Sequence, residues 1–247
     1  GNGIAGTGVK LTKAGAGTLT LSGTNTYSGD TTISAGTLTL KGSLSSSTGL
    51  VMTGSSILDL QTTQTVASLS MTTGNSITRS SGTSSLTVSG TSVLGGAITT
   101  SGTQTYTGAV TLGSDITLTT TAASTSGDIT FSSTVEGVSS PSSSYSLTAT
   151  TAADAHTIFN GTVGNTNPLK SLSVSAGLTT LNTNTVKTIG AQTYTGAVTL
   201  GADTTLTTTG SSGTIGVTFG GSITGSGKAL TIDTGTVSYT HLTLPTK

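Results

Sequence analysis

The sequence contains no cysteine and no tryptophan, and it has few aromatic, charged or proline residues. Aromatic residues make up 3% and charged residues 6% of the 247 positions. The absence of cysteine is compatible with export. Eight basic residues balance eight acidic ones, which leaves no basic surface for nucleic acid or an anionic membrane. The interior must be built from leucine, valine, isoleucine, alanine and threonine, which predicts a thin, elongated core.

Long apolar runs are also missing. The longest run is a handful of residues, far below the ~20 that a membrane-spanning helix needs, so no direct membrane span is expected. Serine and threonine make up about two fifths of the chain and glycine supplies 36 residues, a composition shared by many disordered chains. Low charge, 32% hydrophobic residues and many β-branched side chains nevertheless favour strands over disorder.

Internal repeats are the strongest feature of the sequence. The ten residues QTYTGAVTLG occur at Gln104–Gly113 and again at Gln192–Gly201, 88 residues later. A shorter segment, GTLTL, occurs at Gly17–Leu21 and at Gly36–Leu40, 19 residues apart. Such self-similarity is typical of repeat proteins, in which each unit contacts mainly its neighbours.

The local pattern indicates short strands. Thr18–Leu21, Ser68–Met71 and Ser171–Val174 alternate polar and apolar residues, as half-buried strands do, and Ser-Gly and Gly-Thr pairs punctuate them. No segment has a sustained helical period. The predicted fold is all-β, a parallel β-helix (β-solenoid) of roughly eleven or twelve rungs, 50–60 Å long at ~4.8 Å per rung. A β-sandwich is the alternative, but it does not explain the repeats.

One segment resembles a known family. Gly15–Leu40 reads GAGTLTLSGTNTYSGDTTISAGTLTL and closely resembles the autotransporter-associated β-strand repeat, while the QTYTGAV segments resemble looser rungs of large haemagglutinin-like bacterial surface proteins. The resemblance implies a right-handed parallel β-helix that is displayed at, or released from, a Gram-negative outer membrane. It also implies an outer-membrane translocation barrel, in the same chain or a separate one, as a partner.

The two ends suggest an interior piece of a longer protein. The chain starts at Gly1 without a signal peptide, and we expect residues 1–236 to be a repetitive β-solenoid passenger fragment. Residues 237–247, VSYTHLTLPTK, match no rung and closely resemble a translated sequencing-library adapter. They are interpreted as a non-native tail, with a genuine terminal strand as the alternative, so no function is assigned to His241 or Pro245.

Two glycine-rich segments resemble nucleotide-binding motifs only superficially. Gly1–Gly6 satisfies G-x-G-x-x-G but lacks the strand, helix and distal acid that a dinucleotide site requires. Gly225–Ala229, GSGKA, lacks the serine or threonine that holds magnesium in a phosphate loop. Lys228 is therefore expected to be a solvated turn residue.

The sequence offers no catalytic constellation. Asp154 and His156 are two residues apart and share a strand face if the segment is extended, but no serine partner or third ligand accompanies them. No G-x-S-x-G motif occurs. The eight acids are widely spaced, and Asp115 and Asp203 are equivalent positions of the 88-residue repeat, which suggests structural turn residues. The acids are Asp30, Asp59, Asp115, Asp128, Glu136, Asp154, Asp203 and Asp233. No catalytic, cofactor-binding or metal-binding residue is predicted, and no cofactor.

Two further motifs carry little functional weight. Asn160–Thr162 is a lone glycosylation sequon. Leu244–Lys247 resembles a cell-wall sorting signal, but Lys247 occupies the required threonine position and no apolar tail follows.

Outward Thr-x-Thr pairs raise the possibility of an ordered-water or ice-binding surface. The pairs are Thr18/Thr20, Thr37/Thr39 and Thr117/Thr119. An ice-binding array needs such pairs in register on consecutive rungs. Between Thr39 and Thr117 the sequence offers Leu58–Leu60 and Leu86–Val88 instead, which predicts a broken array.

The leading functional hypothesis is a structural and adhesive stalk of a bacterial cell-surface or secreted protein, with no catalysis. The expected partners are glycans or proteins on host or neighbouring cells, besides the translocation barrel. A β-helical carbohydrate-active enzyme is the alternative from another class, and an ice-binding solenoid is a third. Three or more acids converging on one solvent-facing groove would favour the enzyme.

Overall fold

The computed structural model describes residues 3–138, 144–175, 177–210 and 215–234. Short strands of two to five residues follow one another along these segments, and tight corners join them. Every strand pair in these ranges is parallel. Three consecutive strands complete one coil, and each strand pairs with its counterparts in the coils before and after it. The coils therefore stack into a solenoid with three faces.

The strands are distributed over the faces as follows. The first face holds β1 (Leu11–Lys13), β3 (Thr31–Ile33), β5 (Gly49–Met52), β8 (Ser68–Met71), β11 (Ser92–Leu94), β14 (Val110–Leu112), β17 (Val135–Glu136), β22 (Thr185–Thr188), β25 (Thr204–Thr208) and β28 (Leu230–Thr234). The second holds β2 (Thr18–Leu21), β4 (Thr37–Leu40), β6 (Ile57–Leu60), β9 (Ser76–Thr78), β12 (Ile98–Thr100), β15 (Ile116–Thr120), β18 (Leu147–Thr150), β20 (Leu172–Ser175), β23 (Gln192–Tyr194) and β26 (Val217–Phe219). The third holds β7 (Gln64–Val66), β10 (Leu86–Val88), β13 (Gln104–Tyr106), β16 (Ile129–Phe131), β19 (His156–Phe159), β21 (Leu178–Leu181), β24 (Val198–Leu200) and β27 (Ile223–Thr224).

Single bridging residues complete the faces where a strand is missing. On the first face Val163 pairs with Val135 below and with Val186 above, so it connects β17 to β22. On the third face Thr24 pairs with Ser43 before β7 begins. Because the ten-stranded second face receives one strand per coil, the described residues form ten complete coils, and β28 begins an eleventh. The estimate of eleven or twelve rungs refers to the whole chain, of which these coils are the described part.

The predicted right-handed parallel β-helix is confirmed. A sandwich is excluded because its sheets are antiparallel, whereas all strand pairs of the described ranges are parallel. The one helix there is a single 3₁₀ turn at Ser124–Gly127. No helix in the described residues is long and apolar enough to cross a membrane.

The core is a set of apolar ladders that run along the solenoid axis. The central inward position of the second face is apolar in all ten coils. Its residues, in order, are Leu19, Leu38, Leu58, Ile77, Ile98, Leu118, Ala149, Val174, Tyr194 and Phe219. Those from Leu38 to Tyr194 are at most 1% exposed. Alternation along each short strand therefore buries the same column in successive coils.

Aromatic side chains also enter the core, which the composition alone does not predict. Tyr106, Phe131 and Phe159 stack on the third face, with ring centroids 5.4 and 5.1 Å apart and rings nearly parallel. Tyr194 stacks on Phe219 in the same way on the second face, 5.4 Å away. The expectation of an interior built only from aliphatic residues, alanine and threonine is therefore wrong for these positions.

The 19-residue repeat corresponds to one coil. The two GTLTL segments form β2 and β4, which are neighbours on the second face, and Leu19 pairs directly with Leu38. Each residue of the first copy therefore lies beneath its counterpart in the second.

The 88-residue repeat does not correspond to a whole number of coils. The first QTY segment is β13 on the third face, and its copy is β23 on the second face. The following VTL segments, β14 and β24, lie on the first and third faces. The repeat thus spans three and two-thirds coils, and its second copy is rotated by one face.

The rotated copies keep the same internal contacts. Gln104 Nε2 donates to the carbonyls of Ile98 and Thr119, at 3.2 and 2.9 Å. Its copy, Gln192, donates at the same distances to Val186 and Thr207, each 88 residues after its counterpart. In both copies a tyrosine hydroxyl donates to the glutamine Oε1. The repeat is therefore a local module that keeps these contacts in two different positions around the solenoid.

Candidate functional sites on the solenoid surface

Most acidic side chains hold successive coils together. Asp115 Oδ1 accepts the backbone N–H of Ser146 at 2.8 Å, and Asp203 Oδ1 accepts that of Ala229 at 3.0 Å. These contacts confirm that Asp115 and Asp203 play equivalent structural roles. In each case the acid lies at a corner and its partner lies in the next coil.

Three other acids act in the same way. Asp128 Oδ1 accepts the N–H of His156 at 2.7 Å, and Glu136 Oε2 accepts that of Asn167 at 2.8 Å. Asp59 accepts the N–H of Ser80 at 2.8 Å. Charge-assisted bonds of this kind are stronger than neutral ones. Because the five carboxylates are already bound to backbone amides at separate positions, they do not form a shared groove.

Asp59 lies in a polar network on the second face that includes side chains from three coils. It is only 8% exposed and also accepts hydrogen bonds from Ser80 Oγ, Gln61 Nε2 and Thr39 Oγ1. Burial by itself would raise the pKa of Asp59, but the hydrogen bonds to its carboxylate outweigh burial and hold the pKa below its ordinary value. The network ties coils 2, 3 and 4 together on the second face.

Asp154 and His156 lie in different local structures. Asp154 lies in an exposed turn with a φ of +63°, whereas His156 begins β19. His156 Nδ1 is 3.3 Å from Thr180 Oγ1, in the coil above. No hydrogen bond joins Asp154 to His156 in the described structure. The interpretation as a loop pair holds for Asp154, while His156 is a strand residue.

The glycine-rich segment Gly225–Ala229 forms a turn. In Gly225–Ala229 the N–H of Lys228 donates to the Gly225 carbonyl at 3.3 Å, Gly227 has a φ of +66°, and Lys228 is exposed. Lys228 is thus a solvated turn residue, as predicted. Of the first segment, Gly1 and Asn2 lie outside the described residues.

Asn160 belongs to an asparagine pair between coils. Its Oδ1 accepts from Asn182 Nδ2 at 2.8 Å, and both residues are exposed on the third face. This is one of the asparagine ladders that stacked coils permit.

Two shallow depressions follow the corner between the first and second faces. The larger, about 530 Å³, is lined by small residues, including Gly95 and Gly96, and by Asp115 and Tyr145. The smaller, about 340 Å³, contains no acid. Across the described residues, no three histidine, aspartate or glutamate side chains lie together in a way that suits a metal ion.

The threonine pairs form a more continuous array than the sequence predicts. Leu86–Val88 is β10 on the third face, so it does not interrupt the second-face pairs, and that part of the prediction is wrong. The interruption by Leu58–Leu60 is confirmed, since Ile57 and Asp59 occupy the outward positions of coil 3. Ser76 and Thr78 restore hydroxyl side chains in coil 4.

A pair of buried threonines was not anticipated from the sequence. Thr157 and Thr179 are paired inward-facing residues of β19 and β21, at most 1% exposed, and the hydroxyl of each lacks a hydrogen-bond partner. A polar residue in an otherwise apolar alternating strand is the one signal in the sequence that identifies such sites.

Residues 237–247, including His241, lie outside the described residues, as does Leu244–Lys247.

Comparison with known proteins identifies one segment. Residues 11–40, which form β1 to β4, match the family model of the passenger-associated-transport-repeat. No curated protein and no solved structure matches the chain. The match includes the segment in which the autotransporter-type repeat is predicted, so that prediction is confirmed.

Proposed function

From the passenger-associated-transport-repeat at residues 11–40, we propose that this chain is part of the passenger of a Gram-negative autotransporter-type protein, where it acts as a non-catalytic, adhesive stalk. The stalk holds distal binding surfaces away from the cell and reaches the surface, or the medium, through an outer-membrane barrel. Glycans or proteins of neighbouring or host cells are the partners of those distal surfaces.

The observation that carries the proposal is the uninterrupted stacking of ten coils. At ~4.8 Å per coil this part of the chain is a rod of about 48 Å. Its second-face ladder is apolar from the first coil to the tenth, so the described coils share one continuous core. A rod whose length is proportional to the number of coils suits a spacer.

The arrangement of the acids supports a non-catalytic role. Glycoside hydrolysis requires two carboxyl groups that face one another across the scissile bond. Five carboxylates here bind backbone amides of the next coil, at scattered positions along the rod. A direct test incubates the protein with a panel of bacterial and host polysaccharides and measures new reducing ends or unsaturated products. Turnover would contradict the proposal.

The stalk role is tested by changing the rod length. The chain is displayed on cells upstream of an outer-membrane barrel, and a binding module of known specificity is carried at its distal end. Removal of residues 104–191 should reduce adhesion to a surface coated with the module's ligand, and an unrelated solenoid of equal length inserted there should restore it. Adhesion that is independent of length would contradict a spacer function.

A further inference from the structure

The second face carries two columns of outward hydroxyl side chains in coils 5 to 10, which lie side by side in coils 6 to 8. The first column contains Thr117, Thr148, Ser173, Thr193 and Thr218, paired in direct register on consecutive strands. The second column contains Thr99, Thr119, Thr150 and Ser175. Thr117/Thr119 and Thr148/Thr150 are Thr-x-Thr pairs in the sequence. Their alignment with the hydroxyl residues of the neighbouring coils is visible only in the structure, because the corners between the strands differ in length.

The spacing of this grid is regular in two directions. Along a column, neighbouring side chains are about 4.8 Å apart, the distance between paired strands. Between the columns the distance is about 6.7 Å, twice the rise per strand residue. Threonine has a branched β carbon and few χ1 options, so its methyl and hydroxyl groups are presented in a uniform orientation.

The hydroxyl groups of the grid are free. None of these nine side chains makes a hydrogen bond with a protein group, and all are half-buried or exposed. Their inward neighbours are apolar core residues such as Leu118 and Val174, which fix the backbone beneath them. The hydrogen-bonding capacity of the grid is therefore directed entirely outward.

Charge and shape restrict what the grid can bind. Neither column contains a charged or aromatic side chain, so it suits neither an ionic ligand nor a sugar ring that stacks on an aromatic face. What remains is a flat, neutral, periodic partner that exchanges hydrogen bonds with hydroxyl groups. The oxygen atoms of an ice surface have this chemistry and form a neutral, periodic array.

We propose that the second face between coils 5 and 10 binds ice. The methyl groups hold ordered water over the sheet, and the hydroxyl groups anchor that water into the crystal lattice. The interruption at coil 3, where Ile57 and Asp59 face outward, limits the surface to the later coils. This inference goes beyond the stalk role and does not depend on it.

The test measures incorporation of the purified chain into ice that grows slowly from a dilute solution. A solute that does not bind ice is excluded from the crystal. We expect the wild-type protein to enter the ice, and Thr148→Tyr to lower the ice-to-liquid concentration ratio by about tenfold, since a protruding ring lifts the grid off the lattice.

Thr111→Tyr is the matched control, because Thr111 faces outward on the first face at a similar height along the rod. It should leave the ratio unchanged, and circular dichroism should show that both variants fold. A second variant, Thr119→Val, keeps the flat shape and removes one hydroxyl, so it should give an intermediate ratio.

Exclusion of the wild-type protein from ice would overturn the proposal. Equal decreases in the ice-to-liquid concentration ratio for Thr148→Tyr and Thr111→Tyr would also overturn it, since the effect would then not be specific to the second face. Retention on crystalline cellulose or chitin combined with exclusion from ice would also overturn it and would identify a polysaccharide surface as the ligand.

Discussion

At the scale of single residues, the structure assigns polar side chains to two different tasks. Those at corners, such as Asp115 and Asp203, accept backbone N–H groups of the next coil. Those inside, such as Asn75, satisfy backbone carbonyls within the core, since its Nδ2 donates to Met52 and Thr72. Buried polar groups are costly unless they are paired in this way. Thr157 and Thr179 are exceptions.

The double variant Thr157→Val/Thr179→Val should therefore be more stable than the wild type. Both hydroxyls are buried and unpaired, and valine has nearly the same shape, so we expect the free energy of unfolding to rise by about 1–2 kcal/mol. The free energy of unfolding is measured by urea titration, with circular dichroism as the signal. The control, Thr105→Val, changes an outward threonine of the same face and should stay within about 0.5 kcal/mol of the wild type. A destabilised double variant would show that the hydroxyls do have partners.

Asp59 should make stability depend on pH. Its pKa in the folded protein is lowered, so the stabilisation is present above the unfolded-state value of about 3.9 and is lost as the pH falls through the folded-state pKa. Asp59→Asn should cost about 2 kcal/mol at pH 7, because hydrogen bonds to a charged acceptor are lost.

The measurement compares urea unfolding of wild type and Asp59→Asn between pH 7 and pH 2.5. The difference in the free energy of unfolding between the two proteins should decrease at the acidic end of this range. A difference that does not change with pH would contradict the assignment of a charged Asp59 to this network.

At the scale of the strand, each element is too short to be stable alone, and ladders between coils provide the stability. β16 contributes Phe131 to the third face, where the ring is enclosed by Tyr106 below and Phe159 above. β26 contributes Phe219 to the second face, but that ring is only half-buried. The same residue type therefore occupies a central and a terminal position of a ladder.

Phe131→Ala should lower the free energy of unfolding by about 3–5 kcal/mol, the usual cost of removing an enclosed aromatic ring. Phe219→Ala should cost clearly less, because part of that ring is already in contact with water. Thermal and urea unfolding of the two variants give the comparison. Equal costs would mean that the last described coil is as tightly packed as the centre of the rod.

At the scale of the whole molecule, the 88-residue module occurs in two positions that differ by one face. Gln104 and Gln192 make the same hydrogen bonds although they occupy different faces. A cross-section with three similar sides explains this, because each corner and strand interacts mainly with the coil directly beneath it. Removal of one complete repeat should therefore leave a chain whose remaining coils still stack into a folded β-helix.

A variant that lacks residues 104–191 should fold into a shorter β-helix. Thr103 is then joined to Gln192, which takes the place of Gln104 above β10. The rod loses three and two-thirds coils, or about 18 Å at ~4.8 Å per coil, which small-angle X-ray scattering detects as a shorter maximum dimension.

The control removes residues 104–192, one residue more. This deletion reverses the inward and outward alternation of the strand at the junction and points Tyr194 away from the core, so it should fold poorly. If both deletions fold equally well, or if neither folds, the module does not fit each face independently.

The sequence by itself determined the strand pattern, the parallel coil and the inward ladders, because alternation and repetition are local properties. Only the tertiary structure decided which face each strand occupies. Coil length varies from 18 residues between Ser92 and Val110 to 31 between Ile116 and Leu147. The face that a strand occupies therefore depends on how every preceding corner folds. The alignment of the threonine columns, the hydrogen bonds from acids to the next coil and the rotation of the long repeat depend on the same corners.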